Sequence, residues 1–356
     1  MDLRDQRVLI TGANGFIGGR LAERLVREKG ARVRGLVRAP RAGETITGDI
    51  TDADAVRRAM DGCDIVVHCA AMQVAHDRRP GQIKQPGLSD KANVRKARGT
   101  LDDFRRVNVG GTLNLLRAAW DAGVRRFIHI STVNVHGYPP PHEVNARSPL
   151  CFTGDFYSIS KAEGERAARL FARENPLPLV VIRPACTYGP RSEAWTLQPL
   201  RRVRRGAPVL IGNGDGICNA IYIDNLVDLI LLAMEKDAAI GQTFIGAEGR
   251  GVTWREFYGA YARMLGTSRL NALPRWAALA AATMFEAWAR VTRTAPRVSR
   301  ASVEFYSHRV VFDIEASKQL LGYAPRVSFE EGMRRTEEWL LAVGRDEEKR
   351  RRERET

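Results

Sequence analysis

The sequence predicts an α/β fold in which helices cover both faces of a doubly wound parallel sheet. Short apolar runs rich in β-branched residues alternate with helical patterns between residues 7 and 135, and this alternation is typical of βαβ units. A further strand pattern, PLVVIRP at 178–184, follows a helical pattern near 156–174. The chain has 356 residues, which is enough for such a sheet and a smaller C-terminal lobe.

The predicted elements follow one another in a regular order. The strand patterns are RVLIT (7–11), ARVRGLV (31–37), DIVVHCA (64–70) and RRFIHIST (125–132). Helical patterns follow the first three strands, through Leu21, Leu25 and Val26, then through Val56 and Met60, then from Val107 to Trp120. Beyond 187 the pattern loosens, with apolar helices expected at 224–235 and 253–265.

Composition excludes several classes of protein. Hydrophobic residues make up 44% of the chain, so a buried core is expected. No apolar stretch reaches the roughly 18 residues of a membrane-spanning helix, and the N-terminus enters a strand pattern at once, so we expect a cytoplasmic protein with no stable membrane span. The five cysteines show no CxxC spacing and the six histidines no paired spacing, which argues against a disulfide framework or a metal site.

The net charge of +15 is attributed to a general bias toward arginine. Of the 56 basic residues 48 are arginine, and they are scattered among 41 acidic residues. The tail from Arg345 to Thr356 is nearly balanced, with six basic and five acidic residues. Because no basic patch stands out, we expect no nucleic-acid partner.

A glycine-rich turn lies between the first strand and the first helix, in the run TGANGFIG. A pyrophosphate needs close approach of the backbone and free N–H groups at a helix N-terminus, where the dipole is positive. Glycines at this spacing directly after a strand are typical of the Rossmann dinucleotide-binding fold. The candidate cofactor-binding residues here are Gly12, Asn14, Gly15, Phe16, Ile17 and Gly18.

The end of the second strand bears on the choice of coenzyme. An acidic residue there would hold the ribose hydroxyl of NAD, but the strand ends Leu36-Val37-Arg38. Arg38 would pair with the 2′-phosphate of NADP, or it is one more surface charge in an arginine-rich chain. The sequence therefore favours NADP, with NAD as the alternative.

The run YSISK places Tyr157 and Lys161 one turn apart at the start of a helix. A phenol has a pKa near 10 and exchanges protons poorly at neutral pH, so we expect the neighbouring ammonium to lower the pKa of Tyr157. The strand pattern at 125–132 ends in hydroxyl-bearing residues, which would hold a substrate oxygen. Together these features predict hydride transfer between a nicotinamide and a small-molecule alcohol or ketone.

Further motifs extend along most of the chain. They are GDITD with Asp49, HCAA at 68–71, Asn108 in NVGGT, STVNVHG at 131–137, RPACTYGP at 183–190, YIDNLVD at 222–228 and LGYAP at 321–325. With the glycine turn and YSISK, they make the sequence similar to the extended short-chain dehydrogenase/reductase family, of the NAD-dependent epimerase/dehydratase type. Its pattern is closest to members like 3β-hydroxysteroid dehydrogenases and dihydroflavonol reductases.

The resemblance implies a catalytic centre of four residues, Asn108, Thr132, Tyr157 and Lys161. Aligning VHG at 135–137 with the VYG of the family places the catalytic hydroxyl at Thr132, and His136 departs from the usual tyrosine. For the cofactor, the resemblance implies that Asp49 and Ile50 contact the adenine and that Ala70 and Ala71 lie along the length of the molecule. Tyr157 and Ser131, the neighbour of Thr132, are also implied to contact it, and Lys161 to bond the nicotinamide ribose. Pro184 and Thr187 would close over the nicotinamide. It also implies a homodimer, through the helices near 101–122 and 156–174.

Two enzymatic interpretations remain open. A reductase or dehydrogenase of a secondary alcohol or ketone is favoured by the strand ending LVRAP, and by RPACTYGP, which lacks an asparagine that many sugar-nucleotide members carry. A nucleotide-sugar epimerase or dehydratase is the alternative, with a diphosphate clamp drawn from Arg191, Arg201, Arg202, Arg204 and Arg205. A dehydratase would need an acid after Thr132, where Val133 stands. A non-catalytic, cofactor-sensing module is disfavoured because Thr132, Tyr157 and Lys161 are all present.

The expected organisation is a dinucleotide-binding domain at 1–186, a mainly substrate-binding lobe at 187–343 that partly returns to the Rossmann core, and a charged tail at 344–356. The first domain carries a long insertion at 72–107, either a surface loop or a segment that covers the substrate. The apolar segment 273–291 is too short to span a bilayer and is expected to pack on the small lobe, to line an apolar pocket or to touch a membrane surface.

Overall fold

The computed structural model describes residues 1–40, 43–73, 99–292 and 298–355, and gives only the backbone of 290 and 345–355. Most of the predicted insertion, residues 74–98, therefore lies outside the described residues. At its end, a helix already begins at Leu101 rather than at Val107. The side chain of Thr100 accepts a hydrogen bond from the backbone of Asp103, and the side chain of Asp103 accepts one from the backbone of Thr100. This capping box fixes the start of the helix more strongly than the apolar spacing, which indicated a start at Val107.

Within the described residues, seven parallel strands form the central sheet, in the order β11-β6-β5-β4-β1-β2-β3. They are β1 (Arg7–Thr11), β2 (Arg32–Val37), β3 (Glu44–Thr47), β4 (Ile65–His68), β5 (Arg126–Ile130), β6 (Leu179–Pro184) and β11 (Thr243–Gly246). Each of the five predicted strand patterns contains an observed strand, and the predicted doubly wound parallel sheet is confirmed. Such sheets are covered on both faces, so their strands read as nearly continuous apolar runs.

Three pairs of short strands lie outside this sheet. They are β7 (Cys186–Tyr188) with β10 (Ala220–Tyr222), β8 (Leu210–Ile211) with β13 (Ala272–Leu273), and β9 (Ile217–Cys218) with β12 (Val252–Thr253). The first pair is parallel and continues directly from β6, so it extends the carboxyl edge of the sheet toward the small lobe.

Twelve α-helices surround the strands in the part of the chain that the structure describes. They are α1 (Phe16–Lys29), α2 (Ala53–Met60), α3 (Leu101–Arg105), α4 (Thr112–Asp121), α5 (Phe156–Glu174), α6 (Gln198–Arg204), α7 (Ile223–Glu235), α8 (Trp254–Met264), α9 (Arg275–Thr292), α10 (Arg300–Ser307), α11 (Glu315–Leu321) and α12 (Phe329–Glu355). No helix in the described ranges is long and apolar enough to cross a bilayer. The homodimer through the helices near 101–122, which are α3 and α4, and near 156–174, which is α5, stays a prediction.

Alternate residues of each strand enter two separate cores. In β1, Ile10 packs with α1 and α7, whereas its neighbour Leu9 packs with α2, α4 and α5 on the other face. This period of two follows from the pleat, which points successive side chains to opposite faces. The first core continues into the C-terminal half of the chain, where Trp254 and Phe257 of α8 form an aromatic cluster with Trp195 and Phe305.

A wide helical turn, Arg106–Gly111, joins α3 to α4 and carries Asn108. Wide turns inside helices are frequent at functional sites because they shift side chains out of the regular spacing. Helix α5 crosses close to this turn at Gly164, where a Cβ atom would lie 2.5 Å from the carbonyl oxygen of Asn108. Because Gly164 has no side chain, α5 can therefore pack directly against the backbone of Asn108.

Candidate active site

The glycine turn has the shape that a pyrophosphate requires. Gly12 has a φ of 71°, and a Cβ atom there would lie 3.1 Å from the backbone of Ala70. Gly15 caps α1, no side chain bonds the first N–H groups of this helix, and its first turn holds no acid. These N–H groups of Phe16, Ile17 and Gly18 are available to an anion at the positive end of the helix dipole. The turn fits a dinucleotide.

The side chain of Asn14 donates to the carbonyl oxygen of Ala39 over 2.7 Å, which joins the glycine turn to the end of β2. Arg38 lies beside this contact and is exposed. Within the described residues it takes part in no ion pair. Arg38 directly follows β2, at the edge of the sheet where the ribose of the adenosine would lie.

The remaining cofactor candidates line the carboxyl edge of the sheet. The Asp49 carboxylate accepts from the backbone and hydroxyl of Thr51, at 2.9 and 2.8 Å, and Ile50 is buried against Gly111. Ala70 and Ala71 follow β4 after Cys69 and are half-buried.

Pro184 and Thr187 lie where β6 passes into β7. Ser131 is an exception among the candidates, because its hydroxyl donates to a buried carboxylate at Glu165, 2.7 Å away, and faces the protein interior.

Thr132, Tyr157 and Lys161 meet where β5 ends against α5. The hydroxyl of Thr132 and the side chain of Gln73 interact with the phenol of Tyr157, and both lower its pKa. Burial acts more strongly in the other direction and raises the pKa of Tyr157 to about 12. The tyrosine is therefore protonated at neutral pH and can give a proton to a substrate oxygen.

The ammonium of Lys161 does not have the effect on Tyr157 that the spacing predicts. Its Nζ atom donates to the carbonyl oxygen of Ile130 over 2.7 Å, and its side chain is 3% exposed. Burial lowers the pKa of Lys161 to about 8, although the carboxylate of Glu165 opposes the shift. The prediction that Lys161 lowers the pKa of Tyr157 is wrong for this structure, because burial dominates and Lys161 is directed at the backbone.

Asn108 connects three segments around this centre. Its side-chain oxygen accepts from the backbone N–H of Met72, its amide donates to the carbonyl of Met72, and the same amide donates to the hydroxyl of Ser160. Ser160 in turn donates to the carbonyl oxygen of Tyr157 over 3.0 Å. Asn108 therefore holds the backbone beside Tyr157, and the segment after β4, in one position.

A buried histidine completes the connection to the glycine turn. Thr112 donates to the carbonyl oxygen of Asn108, so its oxygen must accept from Nε2–H of His68 at 3.0 Å. The Nδ1 atom of His68 then accepts from the hydroxyl of Thr11 at 2.7 Å, and Thr11 accepts from the N–H of Ala70. Burial lowers the pKa of His68 to about 3, so this neutral ring is a structural link.

Behind the centre lies a buried ion pair that the sequence analysis missed. Glu165 is fully buried and accepts from Arg183 at 2.6 Å, from Arg169 at 2.8 Å and from Ser131. These cations hold the pKa of Glu165 at about 2, against the opposing effect of burial. The spacing of Lys161 and Glu165, one turn apart on α5, was the available signal.

His136, which departs from the family tyrosine, belongs to the same network. Its Nδ1 atom donates to the carbonyl oxygen of Pro149, and its Nε2 atom accepts from Arg183 at 3.2 Å. Burial and the neighbouring guanidinium lower its pKa to about 4. His136 is a neutral acceptor that helps to fix Arg183, which immediately precedes Pro184.

A small apolar recess of about 10 Å³, room for no more than one water molecule, begins at Val133, next to Thr132, and at Cys186. It is lined by Val133, Tyr138, Cys186, Ile217, Asn219, Trp254, Phe305, His308 and Phe312. Both polar ends of Asn219 are bonded to the backbone, at Val310 and Phe312, and burial lowers the pKa of His308 to about 4. The recess therefore presents no charged side chain.

The five arginines proposed as a diphosphate clamp are not gathered at this recess. Arg201 pairs with Glu193 at 2.6 Å. Arg202 donates to the hydroxyl of Tyr306 at 3.2 Å. Arg204 lines a separate, open cavity between α6 and the end of α8.

Comparison with known proteins identifies the wider relationship. Residues 9–336 match the family model described as GDP-mannose 4,6 dehydratase. The chain is 27% identical to UDP-glucose 4-epimerase from Vibrio cholerae, over 94% of this chain and 95% of the relative. It is 28% identical to 4-hydroxy-2-methyl-3-oxo-4-farnesyl-3,4-dihydroquinoline-1-oxide ketoreductase from Stigmatella aurantiaca, over 92% and 94%. The crystal structure of dTDP-glucose 4,6-dehydratase from Streptomyces venezuelae, with NAD bound, superposes with a TM-score of 0.70 at 25% identity, over 94% and 96%.

Proposed function

Because the chain belongs to the extended short-chain dehydrogenase/reductase family, as an enzyme related to epimerases, dehydratases and reductases, we propose that it reduces an apolar ketone with a nicotinamide coenzyme. The observation that carries the proposal is the hydrogen bond between Thr132 and Tyr157, which holds a protonated phenol at the end of β5. The side chains around the small recess that begins next to Thr132, at Val133, are uncharged and largely aromatic. A sugar needs polar partners for its hydroxyls and a diphosphate needs cations, whereas an apolar carbonyl compound gains from aromatic contact.

Different residues of the chain have different roles in the proposed reaction. When bound, the coenzyme supplies the hydride that adds to the carbonyl carbon. Thr132 holds the carbonyl oxygen, and Tyr157 gives its phenolic proton to that oxygen as negative charge develops there. Lys161, whose ammonium is held at the carbonyl oxygen of Ile130, would bond the ribose of the nicotinamide. With a pKa of about 12, Tyr157 is protonated at neutral pH and can act as the acid in the reduction.

A nucleotide-sugar epimerase is the second candidate, supported by the similarity to the Vibrio cholerae enzyme. The engagement of Arg201 and Arg202 in internal contacts speaks against it. The two candidates differ in their use of coenzyme, because an epimerase restores its coenzyme in every turnover and a reductase consumes it.

A direct assay separates them. We expect the purified protein to oxidise NADPH mole for mole with alcohol formed when it is given a panel of aliphatic and polycyclic ketones, and to leave UDP-glucose unchanged. The reaction is followed by absorbance of the reduced nicotinamide and by mass spectrometry of the products. Conversion of UDP-glucose to UDP-galactose without net coenzyme oxidation would establish the epimerase instead.

For the coenzyme we propose NADP, with Arg38 as the partner of its 2′-phosphate. We expect Arg38→Ala to raise the KM for NADPH about tenfold or more, because a charge-assisted hydrogen bond contributes about 1.5–3 kcal/mol, and to leave the KM for NADH unchanged. Arg32→Ala, at the exposed opposite end of β2, is the matched control and should change neither value. Equal KM values of the wild type for the two coenzymes would refute the NADP preference.

A further inference from the structure

Helix α9 is packed with its small residues inward and its large apolar residues outward. Ala278, Ala282 and Ala289 are buried, and the first two pack with Val303 of α10. The opposite side carries the most exposed large apolar side chains of the helix. They are Trp276, Met284, Trp288 and Val291, with exposed fractions of 75%, 64%, 67% and 81%.

These residues form one continuous face. Together with Ala280 and Ala287, also exposed, they recur every three or four positions along the helix, which places them on one side of it. We call this set the outer face of α9. A helix that packs only against its own protein turns its large apolar side chains toward the core. The reversed arrangement in α9 therefore indicates that a partner outside this protein chain covers the outer face.

The surrounding sequence shows which kind of surface would cover it. Residues 269–300 contain six arginines and a single acid, Glu286. Glu286 pairs with Arg300, and Arg275 pairs with Glu304 of α10. By its sequence the segment still carries a formal excess of positive charge. A second copy of the chain would bring the same excess and a net charge of +15, so charge complementarity favours an anionic partner.

We propose that the outer face of α9 binds the surface of membranes containing anionic phospholipids, with the helix lying in the plane of the interface. Tryptophan side chains favour the headgroup region, and arginines attract anionic lipids. Only one side of α9 is free, because the other packs on the lobe, so the helix rests on the bilayer without crossing it. This inference goes beyond the proposed reaction and does not depend on it.

The test measures cosedimentation of the full chain with extruded vesicles. We expect binding to phosphatidylcholine vesicles that contain phosphatidylglycerol, weak binding to phosphatidylcholine alone, and loss of binding at high salt. The double variant Trp276→Ser/Trp288→Ser should lower the bound fraction at anionic vesicles about tenfold, since it removes the main apolar contacts. Trp120→Ser, which removes a tryptophan 45% exposed on α4, is the matched control and should bind like the wild type.

Three outcomes would overturn the proposal. The first is equal binding by the double variant and the wild type, and the second is equal binding to both kinds of vesicle. The third is a wild-type dimer, seen by light scattering, that the double variant converts to a monomer, since this would assign the outer face to contact between copies. Circular dichroism of both variants verifies that each is folded.

Discussion

A Tyr157→Phe variant is expected to lower kcat for ketone reduction about 10³-fold, within the range that general acid catalysis contributes. The substitution removes only the phenolic oxygen, which interacts with Thr132 and Gln73. The ring and the backbone carbonyl that accepts from Ser160 are kept, so the local fold and the coenzyme site should be intact. Steady-state kinetics with NADPH, and the dissociation constant of NADPH from fluorescence titration, measure the two effects separately.

A matched control removes a different buried hydroxyl. Tyr323→Phe deletes a phenol that makes a 3.4 Å hydrogen bond to the carbonyl of Ala247, away from the glycine turn and the recess. Its kcat should equal that of the wild type. Full activity in Tyr157→Phe would refute the assignment of Tyr157 as proton donor, even if ketone reduction itself were established.

The features that the sequence predicts well are those determined by neighbouring residues. The glycine turn can be recognised because its glycines lie between a strand and a helix that are close in sequence. Helix α5 begins at Phe156, is capped by Asp155 and carries Tyr157 as its second residue. The edge strand β3 was missed because its sequence, ETIT, is half exposed and lacks an apolar run. β11 was missed because four residues are too few to show a period.

Long-range contacts explain why Glu165 and Arg183 were missed. In the sequence, Glu165 lies among the charged residues of KAEGERAAR, which are typical of a solvated helix face. Its burial results from Arg183, which extends from β6 toward α5. The effect of burial on Tyr157 was misjudged for a similar reason, because the pKa depends on surroundings contributed by several distant segments.

Replacing Glu165 by Gln is expected to lower the free energy of unfolding by about 3 kcal/mol, since removal of one partner leaves a buried charge uncompensated. Arg183 is 2% exposed and would lose its anionic partner, while Arg169 would lose one as well. Glu163→Gln is the matched control on the same helix. Glu163 pairs with the half-exposed Arg105 at the surface, where a pair contributes about 0–1 kcal/mol. Urea unfolding compares the two variants.

Glu165 also acts on catalysis through Lys161. Lys161 is charged below its pKa of about 8, so reduction by the wild type should decline as pH rises through that value. Because the Glu165 carboxylate raises the pKa of Lys161, Glu165→Gln should move the decline to lower pH, and Glu163→Gln should leave it in place. A purely structural role would reduce stability without moving the midpoint of kcat/KM against pH. An unchanged midpoint in Glu165→Gln would therefore show that Glu165 does not set the pKa of Lys161. Glu165 would then be a residue that only stabilises the fold beneath Tyr157 and Lys161.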